Sequence, residues 1–174
     1  MAASTRYAET RAVLCTISNR TTFLTELRRI GTAHDVRIIC FNADMIAGRA
    51  HAVRALELAE RAFEAGENIS NTIEMEALLF AAGSRQCSVA SAFGIHEGEN
   101  RLYVCCRPEN ADAWDDLGSL FELAEEGFET IGAEKRAILA KAFSLSEVEI
   151  AAAGGEDRIP DLVLERVAML QIQR

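Results

Sequence analysis

The chain has 174 residues, with 18 Lys+Arg against 27 Asp+Glu and a formal net charge of -9. That length suits one globular domain, or one domain with a small helical annex, and a hydrophobic share of 49% with 26% charged residues excludes wholesale disorder. The acidic balance argues against a non-specific grip on nucleic-acid backbones, which takes many basic contacts, but leaves room for a local basic site.

From the N-terminus, Ala12 to Ile17 is a short apolar run that predicts a strand. Asn19 to Thr22 are turn and cap residues. Phe23, Leu24, Leu27 and Ile30 follow at helical spacing, and Gly31 is expected to stop that helix. Val36 to Phe41 is β-branched and apolar, a second strand. The longest helical pattern runs from about Ile46 to Ala65. Ala52, Leu56, Ala59 and Phe63 form one stripe, and His51, Ala55, Leu58 and Ala62 the adjacent one, with Arg54, Glu57, Glu60, Arg61 and Glu64 on the other side. Gly66 ends it.

Asn71 reads as an N-cap with Glu74 as its capping-box partner. Met75 to Ala82 is apolar nearly all round apart from Glu76, which predicts a short central helix broken at Gly83. Ser84 is expected to cap another short helix, with Val89, Ala90 and Phe93 facing inward and Gly94 closing it. A polar turn, Glu97 to Asn100, leads into a third strand at Arg101 to Cys106.

Beyond Pro108 the chain turns acidic and helical. Ala111 to Glu126 carries Trp114, Leu117, Leu120 and Leu123 at helical spacing, and Glu134 to Phe143 is a further helix. Ser146 with Glu149 forms a capping box for a short one. Gly154 to Asp157 is a loop, and Pro160 sits just ahead of a final helix carrying Leu162, Leu164, Val167 and Leu170. These elements predict an α+β fold: one domain over 1–174 with a small β-sheet of about three to five strands, strand-containing to about residue 107 and helix-rich over 108–174.

The five cysteines are Cys15, Cys40, Cys87, Cys105 and Cys106. The odd number and the lack of any C-x-x-C pair argue against a disulfide framework or a thiolate zinc site, so no metal is expected and a reducing, cytoplasmic setting is. Met1 to Thr10 lacks the apolar run of a signal peptide, and no stretch approaches the length of a membrane span.

The standard catalytic patterns are missing. There is no G-x-x-x-x-G-K-[ST], G-x-G-x-x-G, H-E-x-x-H or G-x-S-x-G. His34, His51 and His96 are not at metal-ligand spacing, and His51 reads more readily as a satisfied, partly buried histidine than as a ligand or base. Glu76 interrupts a buried helix. Its carboxylate either satisfies a nearby backbone group or arginine, or orients a functional arginine such as Arg85. Only Lys135 and Lys141 are lysines, so the basic residues are nearly all arginines, which suit bidentate phosphate contacts. Arg85 is the most informative of them. In the first turn of a helix capped by Ser84 it would oppose the helix dipole, and such a rule-breaking position suggests an anion site. Gln86 adds an amide able to hydrogen-bond a base or ribose edge.

The segments Gly66 to Asn71, Glu76 to Gln86 and Ala90 to Ile95, with the preceding helix around His51, Ala55, Ala59, Ala62 and Phe63 and the tail Leu162 to Leu170, resemble the kinase-binding subunits of the KEOPS complex, the archaeal relatives of animal TPRKB. The centre of the likeness is an E-x-L-L-[FY]-x-x-G-x-R-Q pattern followed by F-G-I. Cys87 departs from it where an aliphatic residue is expected. The resemblance implies a non-catalytic subunit, without a cofactor, in the installation of threonylcarbamoyladenosine on tRNA. It implies two partners: the atypical kinase of the complex, and the single-stranded 3′ CCA end of tRNA. A splayed RNA end needs a compact pocket with a few phosphate contacts. Arg85, Gln86, Asn71 and Ser84 are candidates for it, with His51, Arg54 and Arg61 as neighbours on the long helix. Two alternatives are a purely structural kinase-binding adaptor without RNA, and a small-molecule or nucleotide-binding enzyme using Glu76, Arg85 and His51.

Overall fold

The computed structural model describes residues 9–125 and 127–173. The opening polar stretch to Ala8 and Glu126, the expected end of the acidic helix, lie outside the described residues.

β1 (Thr10–Ile17) leads into α1 (Arg20–His34), β2 (Arg37–Asn42), α2 (Arg49–Ala65), α3 (Ile73–Ala82) and the single turn α4 (Cys87–Ala90). β3 (Gly98–Arg107), α5 (Ala111–Leu117), β4 (Glu122–Leu123), α6 (Ala133–Ala142), α7 (Glu147–Ala153) and α8 (Ile159–Ile172) follow. Among the described residues the sheet has four strands, in the order β2-β3-β1-β4. β3 is antiparallel to both β1 and β2, so β1 and β2 run the same way, with α1 as the crossover between them.

The central strands are apolar without alternation because both faces are covered. On one face Val13, Ile38, Cys40, Leu102, Val104 and Cys106 pack with Leu27 and Ile30 of α1 and Trp114 of α5. On the other, Ile39, Phe41, Tyr103 and Cys105 meet α2 and α3, with α6 and α8 outside them. The fold is α+β, as its pattern predicts.

Four boundaries differ from the sequence reading, each for a local reason. Gly31 does not stop α1. The helix runs to His34 and closes on Asp35 at φ 52. Gly31 is small because a Cβ there would stand 2.9 Å from the Val36 carbonyl oxygen, where the chain turns into β2. The N-cap of α3 is Thr72, whose hydroxyl accepts from the Met75 N–H at 3.3 Å, so Asn71 and Glu74 form no capping box. Ser84 does not cap α4, whose N-cap is Gln86. The acidic helix ends at Leu117. Glu122 and Leu123 instead pair with Leu14 and Val13, adding a strand to the sheet from the half of the chain expected to be helical. The capping of α7 by Ser146 is as read, its hydroxyl accepting from the Glu149 N–H at 3.2 Å.

Candidate functional site

The site is built at the C-terminal end of α3. A helix end leaves carbonyls without intrahelical partners. Gly83, at φ 59, turns the chain into the left-handed region. Its N–H then donates to the Phe80 carbonyl at 3.0 Å and that of Ser84 to the Leu79 carbonyl at 3.1 Å. The Ala81 carbonyl is taken by His51 Nε2 at 2.9 Å. His51 Nδ1 accepts from the Ala47 N–H at 3.0 Å, which assigns the ring proton to Nε2. The imidazole is 1% exposed and stacks edge-on to Phe143 at 5.7 Å. Burial pushes its pKa down to about 4, with the hydrogen bond to Ala81 opposing and the Lys135 charge adding to the depression. His51 is thus a neutral clamp inside the core. It has no edge left for RNA, and the satisfied-histidine reading is the one that holds.

That clamp delivers Ser84, Arg85 and Gln86 to the surface as a short loop. The Ser84 hydroxyl accepts from the Gln86 N–H at 3.1 Å, a local turn that competes with a helix cap. Arg85 therefore precedes α4 rather than sitting in its first turn, and the helix-dipole argument for it lapses. Its guanidinium is exposed, and Nη1 donates to the Gln173 carbonyl at 3.1 Å, tying the loop to the end of α8.

Glu76 is fully buried. Its carboxylate accepts from the N–H groups of Ile69 and Ser70, at 3.1 and 2.8 Å, and from the Ser70 hydroxyl at 3.0 Å. This is the backbone-satisfying reading: Glu76 moulds the turn between α2 and α3.

The remaining expected contacts are dispersed. Asn71 is exposed at the opposite end of α3, and a helix of ten residues puts about 15 Å between its ends. Arg54 is half-buried and faces Glu57 at 3.6 Å. Arg61 is exposed among Glu57, Glu60 and Glu64, a setting that repels an anion. The structure brings together Ser84, Arg85 and Gln86, with His51 beneath them.

Sequence reasoning missed a second polar cluster, centred on an exposed carboxylate. Glu129 reaches from the loop before α6 to the start of α2, accepting from the Arg49 N–H at 3.0 Å and from the Tyr103 hydroxyl at 2.9 Å. Gly48, at φ 104, leaves room for it, since a Cβ there would stand 2.6 Å from Glu129 Oε2. Burial and the neighbouring carboxylate raise the Tyr103 pKa. No local pattern marks Glu129, because it caps a helix that starts 80 residues earlier. Arg20 and Arg28, which no sequence pattern marks, stand two helical turns apart beside an open groove.

Residues 14–171 match the model of a protein family described as kinase binding protein CGI-121. The chain belongs to this family. No curated protein matches it. The CGI-121 match takes in the clamp, the loop over Ser84 to Gln86 and most of α8, and agrees with the resemblance to KEOPS kinase-binding subunits. Among the described residues, no helix is long and apolar enough to cross a membrane, and no three His, Cys, Asp or Glu side chains gather to hold a metal ion.

Proposed function

We propose that the chain is a non-catalytic, cytoplasmic subunit of a KEOPS-type assembly that binds the kinase and takes the 3′ CCA end of tRNA at the Ser84–Gln86 loop. The CGI-121 match over residues 14–171 carries this reading. The loop supports the RNA half: it is exposed, it carries a guanidinium and an amide, and it rests on a rigid clamp. Such a loop suits a splayed RNA end without a globally basic protein.

The kinase half needs an apolar patch. Met169 and Ile172 are 43% and 84% exposed on one stripe of α8, beside the end to which Arg85 is bonded, and Val89 of α4 is 42% exposed. This end of α8 is the surface we assign to the kinase. Met169→Asp with Ile172→Asp is expected to abolish copurification with the kinase while leaving the melting temperature within a few degrees. Full retention of the kinase would remove the assignment.

One observation favours a kinase-binding adaptor without RNA. Of the seven expected RNA contacts, His51 is sealed in the core, and Arg54 and Arg61 stand among carboxylates. Copurification with the kinase alone, with tRNA never retained, selects that reading.

A further inference from the structure

Among the described residues, β2 is an outer strand and hydrogen-bonds to the sheet only through β3. The Ala43 N–H donates to the Arg101 carbonyl at 2.9 Å, extending a register that sets Phe41 opposite Tyr103 and Ile39 opposite Cys105. Bonded and non-bonded pairs alternate in an antiparallel ladder. Ile39 and Phe41 therefore direct their main-chain groups to β3, and Ile38 and Cys40 direct theirs outward. Among the described residues, neither Ile38 nor Cys40 takes a main-chain partner outside the ladder.

That outward edge opens into a groove of about 610 Å³ between α1 and α3. Its volume is that of a ligand site. Leu24 and Leu27 of α1 form one wall, and Met75 and Leu78 of α3 the other. Arg20 and Arg28 also line it. Both are exposed and without an ion pair among the described residues. Eight helical residues put them about 12 Å apart, with apolar side chains between. The acidic lining is Asp35, just ahead of β2, and Glu74 of α3.

We propose that this groove receives an extended, acidic segment of a partner protein, which adds as a fifth strand on β2. Main-chain donors and acceptors recurring every second residue match a peptide, and the apolar walls take its alternate side chains. The two arginines meet carboxylates at separated positions. A nucleic-acid strand, charged at every residue, would lay phosphates on the leucines between the two arginines. The site lies apart from the Ser84–Gln86 loop and does not depend on the function assigned there.

The probes are a blocked eight-residue peptide alternating valine with glutamate, its valine–lysine counterpart, and the oligoribonucleotide ACCA, each titrated into the ¹⁵N-labelled full chain. The glutamate peptide is expected to slow amide exchange at Ile38 and Cys40 at least tenfold while leaving Ile39 and Phe41 unchanged. It should bind at least fivefold more tightly than the lysine peptide. Arg20→Glu with Arg28→Glu, both on exposed positions, should reverse that preference. The proposal is overturned if millimolar glutamate peptide leaves Ile38 and Cys40 unprotected, if the lysine peptide binds as well, or if only the oligoribonucleotide shifts these amides.

Discussion

Replacing His51 by alanine tests the clamp under the Ser84–Gln86 loop. The substitution leaves the buried Ala81 carbonyl and the half-buried Ala47 N–H without partners. Each such group costs about 1–3 kcal/mol, so the pair destabilises the fold by about 2–6 kcal/mol before the lost contact with Phe143 is counted. The histidine also gives the wild type a distinctive pH response. Its pKa is about 4 in the folded chain and about 6.5 when unfolded. Below about pH 6.5 the unfolded chain binds a proton that the folded chain refuses, so this stability is full above that pH and falls as pH drops toward 4. A gap of about 2.5 units, at about 1.4 kcal/mol each, makes the loss roughly 3 kcal/mol. Urea unfolding of the wild type and His51→Ala at about pH 7 and pH 4.5 measures it, since carboxylates common to both proteins cancel in the difference. The gap between the two proteins should be wide at neutral pH and shrink by a few kcal/mol in acid. His51→Gln, which keeps polar atoms at the site, serves where alanine fails to fold. A gap that does not move with pH refutes the neutral clamp.

Three other substitutions probe the local assignments. Gly31→Ala should lower stability by about 1–3 kcal/mol in a thermal melt, because the new methyl meets the Val36 carbonyl; in an open helix the same change would stabilise by about 1 kcal/mol. Thr72→Ala should cost about 1 kcal/mol, the value of a lost cap, while Asn71→Ala costs nothing measurable in the same denaturation assay. Glu76→Gln should lose about 2–4 kcal/mol, because an amide nitrogen replaces an oxygen that accepts from buried donors, and amide exchange should quicken first at Ile69 and Ser70.

Much of the fold is legible in the sequence because its signals are local. β1, β2 and β3 stand out as short apolar runs, β2 the most β-branched of them, and the two adjacent stripes of α2 give its buried face. β4 is not legible: Leu120 and Leu123 continue the helical spacing of Trp114 and Leu117, and only pairing with β1, a hundred residues back, turns Glu122 and Leu123 into a strand. Gly31 reads as a stop because helix propensity carries no knowledge of the Val36 carbonyl. In the site, His51 and Glu76 stand out as polar residues on apolar faces; His51 bonds to backbone, and Glu76 to backbone N–H groups and the Ser70 hydroxyl. Ser84 misled because a serine oxygen serves a turn as well as a cap. The edge of β2 could not be read at all, since a strand's place in the sheet order is set by its neighbours and not by its own residues.

The function proposed for the loop comes down to one binding comparison. The full chain is titrated with mature tRNA and with the same tRNA trimmed of its CCA end, at one stated salt concentration. Trimming should weaken binding at least tenfold. Arg85→Ala should reproduce that loss on mature tRNA with an unchanged melting temperature. Equal affinity for the two tRNAs would contradict recruitment through the CCA end and leave the chain a kinase-binding protein without an RNA role.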